Sequence, residues 1–189
     1  MTRSSLSLAL ASSFVLLAAC GDAGNGNSSG ASAQAGENNA AGNKTIAASL
    51  DQNGKFFTAA KAAGLDATLA GPGPYTVLAP DDAAFGKLPL GAADTLMKPE
   101  SRNELTRVLT YHILPGTVLA EDIAKAIDNG KGKAVLATMG GGTLTATKEG
   151  DKIVIADSAG GKATVVRGDQ RFANGVVHGV DTVLMPSAS

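Results

Sequence analysis

The stretch AVLATMGGGTLTATKEGDKIVIADSAGGKATVVRGDQRFANGVVHGVDTVLMP, residues 134–186, decides the fold class. Its β-branched and apolar residues come in short runs: Val135 to Thr138, Thr143 to Thr147, Lys152 to Ala156, Lys162 to Arg167 and Val176 to Leu184. Between the runs stand Gly140-Gly141-Gly142, Glu149-Gly150-Asp151, Gly160-Gly161 and Asn174-Gly175. Short runs of this kind, separated by residues that tolerate turn conformations, predict a strand meander.

Upstream of Ala134 the period is helical. Thr45 is placed to cap a short helix through Ile46 to Leu50. Lys55 to Ala63 predicts a second helix, with Phe56, Ala59, Ala60 and Ala63 on its inner face and Gly64 at its stop. Asp66 can start another turn, closed by Gly71-Pro72-Gly73-Pro74. Tyr75 to Ala79 is β-rich, and Asp81 follows where the N-cap of a helix over 82–86 is wanted. Pro99 fits the first turn of a helix running to about Thr110. Leu105, Val108, Leu109 and His112 fall at i, i+3, i+4 and i+7, which turns His112 coreward if the helix runs that far. Glu121 to Ile127 is the last helix, acidic in its first turn. Helices first and strands second predict an α+β fold rather than a parallel α/β sheet.

The N-terminus reads as an address. Arg3 is followed by LSLALASSFVLL, residues 6–17, and then by Leu17-Ala18-Ala19-Cys20. A basic start, a short apolar run and small residues make a signal peptide over 1–19, and the run is too short to span a bilayer. The last four residues resemble the bacterial lipoprotein box. That resemblance implies lipid on Cys20, with two or three acyl chains, enough for stable anchoring. Gly21, rather than Asp, follows the cysteine, which resembles sorting to an outer membrane. An ordinary secretory signal with a leftover thiol is the weaker reading, because a lone exposed thiol is unusual in an exported protein. Residues 20–43 then form a linker. Among the 23 residues 21–43 there are 6 Gly, 6 Ala, 5 Asn and 3 Ser, and no Val, Leu, Ile or aromatic. Such a segment cannot bury enough apolar surface to offset the entropy of ordering. As a coil it would span roughly 25–30 Å. The folded domain is expected over 44–186, about 140 residues and enough for one core, with a short tail at 187–189.

Composition narrows the function. With 16 basic against 17 acidic residues, the chain lacks the basic surplus of a nucleic-acid binder. It has 2 Tyr, 5 Phe and no Trp, too few for a surface built on sugar or base stacking. A single cysteine cannot form an internal disulfide, so packing alone must hold the fold. There is no G-x-S-x-G nucleophile elbow. GGKA at 160–163 lacks the spacing and the final hydroxyl of a phosphate loop. Asp81 and Asp82 are explained by helix capping. The chain is therefore read as a binding protein and not an enzyme, with no cofactor and no metal.

Three segments in order resemble the fasciclin domain family across about 45–186. YTVLAPDDAAF (75–85) is similar to its first signature, YHILPG (111–116) to its central Tyr-His motif, and NGVVHGVDTVLMP (174–186) to its closing signature. Asp81 departs from the usual Thr but serves equally as a cap. Gly179 replaces a usually β-branched residue, which should loosen that strand. The resemblance implies a β-wedge of two steeply crossed sheets with N-terminal and edge helices. It also implies an extracytoplasmic adhesion or protein-interaction module.

Tyr111 and His112 are the adhesion motif that the resemblance implies. A Tyr-His pair leaving an amphipathic helix into Ile113-Leu114-Pro115 is nevertheless better read as buried and hydrogen-bonded. His178 and Asp181 do not make a metal site, since i and i+3 on a strand face opposite ways and one imidazole with scattered carboxylates is no ligand set. Arg167-Gly168-Asp169 spells RGD, an integrin-binding tripeptide of animal matrix proteins; Gly168 equally serves as a plain turn. The expectation is a monomeric domain in a bacterial cell envelope. It would be anchored in membrane lipid through Cys20, at the outer membrane or cell surface or on the periplasmic side, and would bind an unknown protein or matrix partner. The alternative is a periplasmic small-ligand carrier or accessory enzyme, which an enclosed apolar pocket would favour. A passive envelope component is the third reading.

Overall fold

The computed structural model describes residues 42–187. The signal peptide, Cys20 and all but the last two residues of the linker lie outside the described residues. In chain order the elements are α1 (Ile46–Ser49), α2 (Lys55–Ala63), α3 (Asp66–Ala70), β1 (Tyr75–Pro80), α4 (Asp82–Gly86), α5 (Ala92–Leu96), α6 (Arg102–Tyr111), β2 (Ile113–Pro115), α7 (Ala120–Asn129), β3 (Ala134–Ala137), β4 (Thr143–Glu149), β5 (Lys152–Ala156), β6 (Lys162–Phe172) and β7 (Gly175–Val180). A 3-10 turn over Pro99–Ser101 leads into α6.

The caps sit where their chemistry places them. Thr45 Oγ1 accepts from the Ala48 N–H at 3.4 Å and starts α1. Asp81 Oδ1 accepts from the Ala84 N–H at 2.7 Å and starts α4. Each satisfies one of the donors that a helix start leaves orphaned. α7 buries Ile123 and Ile127, one turn apart, against β3, β4 and β5. Burying a side chain of that size contributes roughly 1.5–3 kcal/mol.

Seven strands follow in the order β2-β1-β7-β6-β5-β4-β3. Strands β3 to β7 pair antiparallel with their neighbours, as does β1 with β2. The pair β1 with β7 is the parallel one, in register from Tyr75↔Gly175 to Pro80↔Val180. The meander thus closes on a strand from the helical half. β6 belongs to two sheets at once. Lys162 to Thr164 pair with β5, and Val165 to Phe172 pair with β7, with register shifts at Val165–Arg167 and Arg167–Gln170. Bulges bend a strand and increase its twist, so β6 carries the chain from one sheet into the other. The Met139 N–H donates to the Ile113 carbonyl at 2.8 Å and joins the two ends of the strand order.

Two apolar cores flank β1 and β7. One gathers Ile46, Phe56, Leu105, Val108, Val77 and Val177 under α1 to α6. The other gathers Tyr111, Ile123, Leu144, Ile155, Leu78 and Leu184 under α7. Val77 and Leu78 are adjacent and point into opposite cores. That is why β7, GVVHGV, is buried at every position and shows no alternation.

Three expectations are corrected. β6 runs on to Phe172 instead of ending at Arg167, because its second half has β7 to pair with. β7 stops at Val180 instead of Leu184. There the Asp181 N–H donates to the Thr164 carbonyl at 3.1 Å and the carboxylate takes the Thr164 N–H at 2.7 Å, which ends the ladder. β2 and α5 were not anticipated; each is too short to show a period.

Candidate functional site

α6 delivers Tyr111 and His112 inward, both almost fully buried. His112 follows the buried face of Leu105, Val108 and Leu109 and caps the helix end. Its Nδ1 lies 2.8 Å from the Val108 carbonyl, and its Nε2 accepts from the Leu184 N–H at 3.0 Å. These partners assign the neutral tautomer with the proton on Nδ1, since a carbonyl needs a donor and an N–H needs an acceptor. Burial lowers the imidazole pKa from 6.5 to about 4, against smaller opposing effects of the Val108 carbonyl and the Asp157 charge. The Tyr111 hydroxyl donates to the Thr143 carbonyl at 2.8 Å and accepts from the Ser158 N–H at 3.3 Å. Its ring lies against Gly142, where a Cβ would come 2.5 Å from Cε2.

Asp157 completes this cluster. Oδ1 takes the Ala159 and Gly161 N–H groups at 3.0 and 2.6 Å, and Oδ2 takes the Met185 N–H at 2.9 Å. Tyr111, His112 and Asp157 together fasten the loop after β5 and the C-terminal segment onto the end of α6. Their polar atoms are engaged inside the fold.

A second network crosses β1, β7 and β6. Thr76 Oγ1 donates to the Gly116 carbonyl and accepts from the Val118 N–H, both at 2.8 Å. The Val118 carbonyl lies 2.8 Å from His178 Nε2, and His178 Nδ1 accepts from the Asp169 N–H at 3.2 Å. Asp169 Oδ1 in turn accepts from the Ala120 N–H at 2.8 Å, at the start of α7. The RGD tripeptide therefore lies in the bulged part of β6 and not in a plain turn. Arg167 and Gly168 are exposed, whereas Asp169 is half-buried, holds φ of 55° and anchors a helix. Asp181 is separate from His178. Burial raises its pKa, but the Thr164 N–H, the Lys87 ammonium and the Thr182 hydroxyl outweigh this and hold it below the ordinary value.

In the sequence, Asn174 is marked only as half of an Asn-Gly turn. It is buried, takes the Ile46 N–H on Oδ1 at 2.8 Å, and donates from Nδ2 to the Leu69 and Gly71 carbonyls at 2.8 and 2.7 Å. No local signal separates such an asparagine from an ordinary turn residue, because its partners lie more than 100 residues away. Among the described residues, every buried side-chain nitrogen and oxygen has a partner. Among the described residues, no cluster of three or more His, Cys, Asp or Glu could hold a metal ion. Concavities among the described residues include open grooves of about 340 to 470 Å³.

Comparison with known proteins agrees with this architecture. The profile of the fasciclin domain matches residues 51–186. Protein sll1483 of Synechocystis is 34% identical over 147 residues, covering 78% of this chain and 71% of that protein. Cell surface glycolipoprotein MPB83 of Mycobacterium bovis is 34% identical over 116 residues, covering 61% of this chain and 46% of that protein. Among solved structures, the domain pair of the insect cell adhesion molecule Fasciclin I superposes with a TM-score of 0.65 at 19% identity, covering 78% of this chain and 52% of that one.

Proposed function

The chain belongs to the fasciclin domain family, and on that premise we propose that it is an extracytoplasmic interaction module of a cell envelope, held to a membrane by lipid on Cys20 and acting by binding. The observation that carries this reading is the engagement of the buried polar groups. Tyr111, His112, Asp157 and His178 are the residues a reader would first enlist for chemistry, and each is tied to backbone inside the fold. Among the described residues, the surface outside them includes open grooves. Similarity to a mycobacterial cell surface glycolipoprotein and to an insect cell adhesion molecule supports the same reading. Contacts that are weak in solution gain from confinement to one surface, because tethering raises effective concentration. The Tyr-His pair serves this function indirectly, by holding the fold that displays the surface.

The test is crosslinking in intact cells followed by recovery of the full-length protein. Discrete crosslinked species, retained with Asp169→Glu, are expected. A chain that yields no discrete species would be a passive envelope component. Loss with Asp169→Glu in a protein of unchanged stability would instead assign adhesion to the RGD tripeptide.

A further inference from the structure

Beyond partner binding, the structure contains a groove of about 420 Å³ between the β6–β7 ladder and the loops that start α2 and α4. One wall carries Arg167. The other carries Asp51, Asp81 and Asp82, with the half-buried Leu50 beside them.

The two walls are opposite in charge and not paired with each other. Arg167 is exposed and forms no ion pair among the described residues. Its side chain lies across Gly179, where a Cβ would come 3.2 Å from Nε and 3.3 Å from the Arg167 Cβ. The missing side chain at 179 therefore clears the bed on which the arginine rests. Opposite, each aspartate uses one oxygen on a backbone N–H: Asp51 on Asn53 at 3.0 Å, Asp81 on Ala84 at 2.7 Å, and Asp82 on Lys55 at 2.8 Å. Those bonds hold the carboxylates in place, and among the described residues the second oxygen of each has no hydrogen-bond partner.

A guanidinium presents a planar fork of donors that matches a carboxylate. Fixed carboxylates match an ammonium group. A ligand with only one of these charges would meet repulsion from one wall. We infer that this groove binds a short peptide with a free C-terminal carboxylate on Arg167 and its cationic end on Asp82 and its neighbours. The volume lies within the range of small-molecule sites.

The probe is the dipeptide lysylalanine with free termini, set against its C-terminal amide, in calorimetric titration of the full-length protein in detergent. Wild type is expected to prefer the free acid over the amide at least tenfold, and the preference should weaken with salt. Arg167→Gln should abolish that preference, while Asp82→Asn should weaken both ligands and keep it. Thermal melts of both variants, expected unchanged, separate binding from folding. No binding by wild type, or a preference that survives Arg167→Gln, overturns the inference. Neither result bears on the crosslinking of protein partners, which does not use this ligand.

Discussion

His112 shows how one side chain sets a pH limit. Its folded pKa of about 4 lies below the 6.5 of the free imidazole. As pH falls through 6.5 the unfolded chain takes up a proton that the folded chain refuses, so stability declines from there until about pH 4 is reached. The loss approaches about 3 kcal/mol below that pH. Asp181 adds a loss at still lower pH, because its depressed carboxyl contributes stability above the ordinary aspartate pKa that disappears on protonation. Urea midpoints measured from pH 7.5 to 4 should fall accordingly, and His112→Ala should flatten the fall between pH 6.5 and 4. The same substitution should cost about 2–4 kcal/mol at pH 7, since it leaves a cavity and orphans the Val108 carbonyl and the Leu184 N–H. A variant as stable as wild type, with the same pH profile, would show that His112 holds nothing.

Among the elements, α7 owes its starting point to a residue 49 positions away. Asp169 takes the Ala120 N–H, while Asp122 Oδ2 takes the Leu119 N–H at 3.1 Å. The acidic first turn of α7 was legible in the chain; the partner supplied by β6 was not. Asp169→Ala should cost about 1 kcal/mol, as loss of a helix cap does, and should speed amide exchange in the first turn of α7 alone. Unchanged exchange there would mean that water replaces the carboxylate without loss. The same contact explains why the tripeptide reading and the fold compete for Asp169. Gly168 lies close to α7, where a Cβ would come 3.5 Å from the Ala120 Cβ, so that stretch of β6 cannot swing free as an exposed loop would.

At the scale of the whole molecule, the proposed lipid on Cys20 would tether a domain held together without disulfides. The chain has one cysteine, so the fold over 42–187 contains none. Reductant should leave the melting temperature of the domain unchanged, whereas Cys20→Ser should move the protein from the membrane to the soluble fraction. Unaltered fractionation of that variant would remove the anchor and with it the argument from confinement to a surface.

The sequence by itself determined the elements whose causes are local. A Thr or Asp at a cap, a Gly-rich break between β-branched runs, and the i, i+3, i+4, i+7 row ending at His112 act within a turn or two of the chain. They are visible there for that reason. Three ordered motifs were also enough to point to the family. Only the tertiary structure decided the parallel union of β1 with β7, the passage of β6 between two sheets, the fastening of the C-terminal segment by His112 and Asp157, and the groove that Arg167 lines together with three aspartates. The Leu184 contact with His112 spans 72 residues and the Ile46 contact with Asn174 spans 128. Such contacts form because packing brings distant chain segments together, and neither spacing nor composition along the chain carries a trace of them.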